Sequence, residues 1–207
     1  LASTIIIWFI SHFSWDWTFK DDALMNESIL ANIGQFLQPI FAPLGFGLGK
    51  YGWIFVVACF SGLIAKENIV GTIGTLAASI LTANSISISG ETNTLQLFIT
   101  QLSTEGSPIY DVTFASYGVA ILIAFIAFNM LTIPCIAAVT AARGELDKKT
   151  FAWTLLFWFV TSYIVSGAIF TIGSWWWTIF IWVGVLLIAI LAVILTNKIR
   201  DRKMKEA

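Results

Sequence analysis

Four apolar stretches, each long enough to cross a bilayer, limit what this chain can fold into more than any other feature of the sequence. A membrane-spanning helix needs about 20 apolar residues. The stretches cover residues 51–81, 112–142, 151–172 and 175–196. Of the 207 residues, 58% are hydrophobic and only 11% are charged, whereas soluble domains average about 25% charged residues. The chain is therefore predicted to be an all-α polytopic membrane protein.

Two further segments are less regular. Residues 1–13 are apolar but lack a basic flank, so we expect the end of a span and a chain that is a fragment of a longer protein. Residues 29–49 are long enough to cross but carry helix breakers in their second half. These are Pro39, Pro43, Gly45, Gly47 and Gly49. The segment either re-enters as a half-helix or crosses with a kink, which predicts a helical bundle with a broken or re-entrant helix.

Basic residues orient the predicted spans, because cytoplasmic loops of membrane proteins are enriched in Lys and Arg. The tail after residue 196 carries five of them and the loop at 143–149 carries three. The loop at 82–111 has none and contains three acids, so we expect it to be external, with a short helix near 95–102. With 51–81 taken as one crossing, Lys50 joins the cytoplasmic set. The C-terminus is then cytoplasmic.

Lys66 and Glu67 lie near the middle of the apolar run 51–81. A charged residue at the centre of a membrane helix costs about 2.5–3.5 kcal/mol on insertion scales. Adjacent helical residues do not face each other, so each charge needs a partner from elsewhere. Gly62, Gly71 and Gly74 flank the pair and favour a broken helix whose ends face a polar cavity. The alternative is a structural link to a neighbouring helix.

Pro134 lies deep inside the run 112–142. A proline in a helix removes one backbone hydrogen bond and frees a carbonyl, here near residue 130. Asn129, Thr132 and Cys135 surround it. Freed carbonyls and a soft thiol are typical of a transient cation site, and a Cys, a carboxylate and amide or hydroxyl oxygens suit a borderline divalent cation such as Fe²⁺. The alternative is a kink with ordinary packing.

Other polar and reactive residues carry less information. His12, the only histidine, is interpreted as an interfacial residue, and Cys59 as packing among Val57, Ala58 and Phe60. The sequence contains no zinc-protease, serine-hydrolase or nucleotide-binding loop motif. We therefore expect a protein that is not an enzyme.

Three stretches carry a family resemblance. They are PIFAPLGFG at 39–47, GLIAKENIVGTIGTL at 62–76 and MLTIPCIAAVTAARGE at 130–145. In order and spacing the chain resembles the C-terminal half of the membrane permease of the ferrous iron transport protein B family, FeoB. That family joins an N-terminal GTP-binding domain to a membrane domain with two gate regions, and moves Fe²⁺ into the bacterial cytoplasm.

The resemblance implies specific roles. Residues 1–207 would be the C-terminal gate portion of an iron permease in the bacterial inner membrane, without the GTP-binding domain or the first gate. Fe²⁺ would be the transported substrate, with no permanently bound cofactor. The partners would be the remaining N-terminal part, the bilayer and a possible second copy, but no nucleic acid. Cys135 is the candidate Fe²⁺ ligand, with Glu67 and Asn129 as further metal candidates. The candidate gate or structural residues are Lys66, Gly71, Thr132 and Pro134.

Two other functions stay open at this point. A related gate-domain transporter of nucleoside-like solutes would use Asn and Glu side chains for hydrogen bonds and would not need Cys135. A membrane scaffold or assembly subunit would use Lys66 and Glu67 only to hold helices together.

Overall fold

The computed structural model describes residues 9, 13–14, 28–64, 66, 68–86, 94–188, 191 and 194. The helices in this part of the chain are α1 (Ile29–Phe41), α2 (Gly52–Ile64), α3 (Asn68–Ala83), α4 (Thr94–Ser103), α5 (Val112–Leu131), α6 (Ile136–Glu145), α7 (Lys148–Ser174) and α8 (Thr178–Ile188). The predicted all-α membrane fold is confirmed. The predicted partial span at 1–13 and His12 lie outside the described residues, apart from Phe9 and Phe13.

Helices α5 and α7 are long and apolar enough to cross a membrane. They pack side by side in opposite directions: the Phe128 and Phe159 rings meet edge to face, and the Ser166 hydroxyl donates a 2.7 Å hydrogen bond to the carbonyl of Ala124. The span predicted at 151–172 lies within α7. The first part of the span predicted at 175–196 forms the helix α8.

The apolar run 51–81 is a helical hairpin rather than one crossing. Helix α2 ends at Ile64 and α3 begins at Asn68. The hydroxyl oxygens of Ser61 and Thr72 are 2.7 Å apart, whereas 11 residues of continuous helix would separate them by about 16 Å. The predicted break at the charged pair is confirmed. The interpretation of this run as a single span is wrong, because the backbone reverses at the break.

The reversal places both ends of the hairpin on the same side of the bundle. The backbone N–H of Lys50, just before α2, donates a 2.7 Å hydrogen bond to the carboxylate of Asp111, at the end of the loop that follows α3. The Tyr51 ring meets Phe98 of α4 edge to face at 6.2 Å. Lys50 therefore lies on the same side as the described residues 94–111 of this loop, and the expectation that Lys50 and the loop lie on opposite sides is wrong.

The loop after α3 folds over this end of the hairpin. Its helix α4 confirms the short helix predicted near 95–102, and Phe98 and Leu102 are buried. Asp111 ends the loop and caps α5, since its carboxylate accepts hydrogen bonds from the N–H groups of Thr113 and Phe114. The same carboxylate reaches Lys50, so one buried Asp joins the start of α5 to the start of α2.

The segment 29–49 also turns back on itself. Helix α1 ends at Phe41, and the side-chain amide of Gln38 donates a 2.7 Å hydrogen bond to the carbonyl of Gly49. Gly49 has a φ of 77°, and the Asp111 carboxylate fills the space that a Cβ would need. Only glycine suits such a position. This geometry favours the re-entrant half-helix over a kinked span that crosses the membrane.

Aromatic side chains pack the C-terminal end of α5 against α1, α2 and the segment between these two helices. The Phe41 ring at the end of α1 meets Phe128 at 5.7 Å, and Phe46 meets Phe125 at 5.4 Å, both edge to face. Phe55 of α2 also meets Phe125, at 5.2 Å. Such pairs are worth about 0.5–1.5 kcal/mol each beyond their burial. The rings hold α1, α2 and α5 in register where α5 ends.

The hairpin predicts a specific disulfide. Ser61→Cys together with Thr72→Cys should cross-link under mild oxidation, because the two side chains meet across the hairpin. The measurement is the fraction of free thiol after oxidation in the membrane. Each single variant and Ser61→Cys with the exposed Thr75→Cys serve as controls. Failure of the 61–72 pair to cross-link in a folded protein would contradict the hairpin.

Candidate functional site at two helix breaks

The second break lies between α5 and α6. Helix α5 ends at Leu131, Thr132 has an extended ψ of 172°, and α6 starts after Cys135, whose ψ is 157°. Pro134 explains the interruption, because it has no N–H for the helix and disfavours helical geometry in the residue before it. The sequence predicted a freed carbonyl near residue 130. The structure shows a longer gap, since four residues, 132–135, leave the helix.

Lys66, at the tip of the hairpin, reaches this second break. Its Nζ donates a 2.8 Å hydrogen bond to the carbonyl of Asn129 and lies 3.4 Å from the carbonyl of Thr132. The first contact has normal hydrogen-bond length, and the second is longer and weaker. A cation at the C-terminal end of a helix also interacts favourably with the helix dipole. The expectation that Lys66 has a polar partner from another segment is confirmed, whereas Glu67 lies outside the described residues.

Asn129 connects the break to α2. Its side chain is buried, and its Nδ2 donates to the carbonyl of Phe125 at 2.8 Å and lies 3.6 Å from the Cys59 sulfur. Cys59 was expected to have only apolar neighbours. The structure corrects this, because α2 and α5 run side by side and bring Cys59 next to a buried amide.

The remaining predicted residues divide into two groups. Cys135 is half-buried and directly precedes α6, three residues after Thr132. Thr132 is buried at the end of α5. Gly71, in contrast, lies on an open face of α3, where a Cβ would meet nothing within 4 Å. The structure therefore brings Lys66, Asn129, Thr132 and Cys135 together and places Gly71 apart from them.

The close approach in the hairpin is made by Gly62 instead. A Cβ there would lie 2.6 Å from the end of the Ile69 side chain and 3.6 Å from Oδ1 of Asn129. Sequence reasoning noted Gly62 only as a flanking helix breaker. The spacing in the sequence does not single it out, because Gly62 lies four residues before the charged pair and Ile69 two residues after it.

The donors at the site suit a weakly held cation. Among the residues that the structure describes, no three His, Cys, Asp or Glu side chains form a group that could hold a metal ion. The groups at the break are the carbonyls of Asn129 and Thr132, which accept from Lys66, and the Cys135 thiol. The Asn129 amide nitrogen is directed towards Phe125 and Cys59. Backbone carbonyls can replace part of an ion's hydration shell, and a site with few ligands releases the ion again.

A small cavity adjoins the break. It has a volume of about 180 Å³ and is lined by Cys59 and Thr132 together with apolar side chains such as Phe60 and Leu63. Pockets for drug-sized ligands are usually about 300–1,000 Å³. Its lining is almost entirely apolar, so the cavity adds no ligands for an ion to those at the break.

Comparisons with known proteins give one family and several relatives. A family model described as "Gate: Nucleoside recognition" matches residues 1–149. The chain is similar to the Fe(2+) transporter FeoB of Legionella pneumophila (strain Lens), with 27% identity over 187 residues, 78% of this chain and 24% of that protein. It is also similar to FeoB of Methanocaldococcus jannaschii, with 25% identity over 82% of this chain and 22% of that protein. FeoB of Staphylococcus aureus (strain MSSA476) is 26% identical over 83% of this chain and 21% of that protein.

The chain thus spans less than a quarter of the length of these curated relatives. No solved structure matches the chain.

The tight hairpin predicts a difference between two glycines. Gly62→Val should lower the free energy of unfolding by about 1–3 kcal/mol, because the added side chain meets Ile69 in a packed region. Gly71→Val is the matched control on the partner arm and should change it by less than about 0.5 kcal/mol, as is usual for surface positions. Thermal unfolding in detergent measures both. Equal stability of the two variants would contradict the close packing at Gly62.

Proposed function

Because the chain belongs to the Gate family, we propose that it forms the C-terminal gate portion of the permease of a ferrous iron uptake transporter. Fe²⁺ is the transported substrate, and the proposed partners are the rest of the transporter, including its GTP-binding domain and first gate region, and the lipid bilayer. The similarity to FeoB proteins from two bacteria and an archaeon supports the substrate. In this proposal the chain itself conducts the ion and carries out no chemical reaction.

One observation carries the proposal. The carbonyls of Asn129 and Thr132, released from helical hydrogen bonding at the second break, already accept hydrogen bonds from a cation, the Lys66 ammonium. Uncharged carbonyl oxygens that bind an ammonium can also bind a partly dehydrated metal ion. The α5–α6 break therefore has the chemistry of a transient cation site.

Cys135 would give this site its preference for iron. A thiol is a soft ligand, and together with carbonyl and amide oxygens it favours a borderline divalent ion such as Fe²⁺ over hard ions such as Mg²⁺. Pro134 holds Cys135 outside both helices, and Asn129 supplies an amide oxygen. Glu67, adjacent to Lys66 in sequence, is a further candidate ligand.

The cavity beside the break argues against a nucleoside-like substrate at this position. Its volume of about 180 Å³ and its largely apolar lining offer little room for a sugar and few partners for its hydroxyl groups. The scaffold alternative predicts that the charge and the thiol are dispensable for transport. The Cys135 experiment below tests that prediction.

The proposed setting is the bacterial inner membrane, crossed several times. The basic residues at 143–149 and after 196 support a cytoplasmic location for that end of the bundle and for the C-terminus. The opposite end, with Lys50 and the loop that carries α4, then faces outward. Moving Lys50 to the outer end leaves eight of the eleven basic residues inside, five in the tail and three in the loop, so the asymmetry remains strong.

Cys135→Ser in the complete transporter should reduce Fe²⁺ uptake at limiting iron by about tenfold, because serine keeps the size of the side chain but is a harder and weaker ligand. Uptake of radioactive iron into cells, normalised to the amount of protein in the membrane, measures the effect. Cys59→Ser is the matched control, since serine still accepts from Asn129, and it should retain most of the uptake. Equal uptake by Cys135→Ser and the parent would contradict the role of the thiol as a ligand of the transported ion.

Labelling of single cysteines in intact cells should separate the two ends of the bundle. Lys50→Cys and the exposed Glu105→Cys should react with an impermeant thiol reagent, whereas Lys149→Cys should react only after the membrane is opened. The physical reason is the even number of crossings between Lys50 and Glu105. Protection of Lys50→Cys with labelling of Glu105→Cys would contradict this arrangement.

A further inference from the structure

The Lys66 ammonium occupies the position that a transported cation would need. Its nitrogen is 2.8 Å from the carbonyl oxygen of Asn129 and 3.4 Å from that of Thr132. These are the oxygens that the α5–α6 break exposes, and they are the ones proposed above to receive the metal ion. An ion bound to the Asn129 oxygen would compete with the ammonium for the same lone pairs.

We propose that Lys66 is a tethered plug, a cation built into the hairpin tip that fills the carbonyl site and must withdraw before a metal ion can enter it. This inference rests on the proposed cation pathway but goes beyond it, because it assigns the gating step to Lys66. The structure then represents the closed state of the site.

The placement of Lys66 suits such a plug. It is held on a flexible four-carbon stem between the ends of α2 and α3, so the ammonium can move without repacking either helix. Its contacts on α5 are hydrogen bonds to two uncharged carbonyls. Cys135 lies in the same break, three residues after Thr132. The plug therefore faces the oxygen ligands of the proposed site, beside the segment that carries the sulfur ligand.

The two cations exclude each other. A divalent ion on the Asn129 carbonyl would stand only a few ångströms from the ammonium, in surroundings with a low dielectric constant where like charges repel strongly. Tight closure and ion passage then alternate, and any input that drives uptake must move the ammonium away from the Asn129 carbonyl. Removal of the charge should leave the site open.

The test is a leak measurement on the complete transporter in liposomes without nucleotide, with a fluorescent metal sensor inside. Lys66→Met keeps the stem and removes the charge, and Lys66→Gln also keeps an N–H donor for the Asn129 carbonyl. Both should raise nucleotide-independent Fe²⁺ influx by about tenfold or more, because the repulsion between like charges is gone. Lys66→Arg keeps the charge and should stay near the parent.

The variants separate a plug from a structural link. If Lys66 only holds the helices together, Lys66→Gln should behave like the parent, and Lys66→Met should lose stability without any leak. That result overturns the proposal. If Lys66→Met does not fold, the influx through Lys66→Gln decides the question by itself.

A second measurement separates failure of the plug from failure of the iron assignment. The same liposomes are assayed for Na⁺ and Mn²⁺ influx. A leak of either ion through Lys66→Gln, without Fe²⁺ influx in any variant, supports the plug and overturns the choice of iron. No leak of any ion, with Cys135→Ser still impairing Fe²⁺ uptake, overturns the plug and leaves the iron pathway in place.

Discussion

The contact between Lys66 and the end of α5 resolves two problems that neither segment could solve alone. Inside a membrane, every backbone polar group needs a partner, and an unpaired charge is expensive. Pro134 deprives the end of α5 of helical donors, and the hairpin tip brings a half-buried ammonium that lies outside both helices of the hairpin. The hydrogen bond from Lys66 to the Asn129 carbonyl pairs the two. Each break is tolerable because the other is present.

This pairing also explains the shape of the hairpin. Helices α2 and α3 have 13 and 16 residues, less than the roughly 20 that a crossing needs. Helix α2 nevertheless runs beside α5, from the contact of Lys50 with Asp111 to that of Lys66 with Asn129, and the turn that follows α2 needs a polar environment. The second break provides it, and the Phe rings around Phe125 and Phe128 keep both ends aligned.

Local chemistry made part of this architecture predictable. The breaks at Lys66 and Pro134 follow from charges, glycines and a proline inside apolar runs, and the short helix α4 was expected near its observed position. The reversal at Lys66 could not be predicted, because two half-crossings in succession have the same hydropathy as one long span. The partner of Lys66 could not be predicted either, because it is a backbone carbonyl. The residue type does not show whether a backbone carbonyl lacks a hydrogen-bond donor. The close approach at Gly62 could not be predicted, because it depends on which residues of the other arm face this glycine.

The strength of the charges decides whether Lys66 can be a permanent part of an ion pathway. Two unit charges 4 Å apart repel by about 4 kcal/mol at an effective dielectric constant near 20, so a divalent ion and an ammonium repel by about twice that amount. A hydrogen bond that involves a charged group is worth about 1.5–3 kcal/mol. This repulsion is larger than the contribution of the hydrogen bond, so the two cations do not share the Asn129 carbonyl, and a divalent ion enters only after the ammonium has withdrawn. A carbonyl site of this kind can close tightly and still allow passage, because the tethered ammonium withdraws before the ion enters and returns once the ion has left.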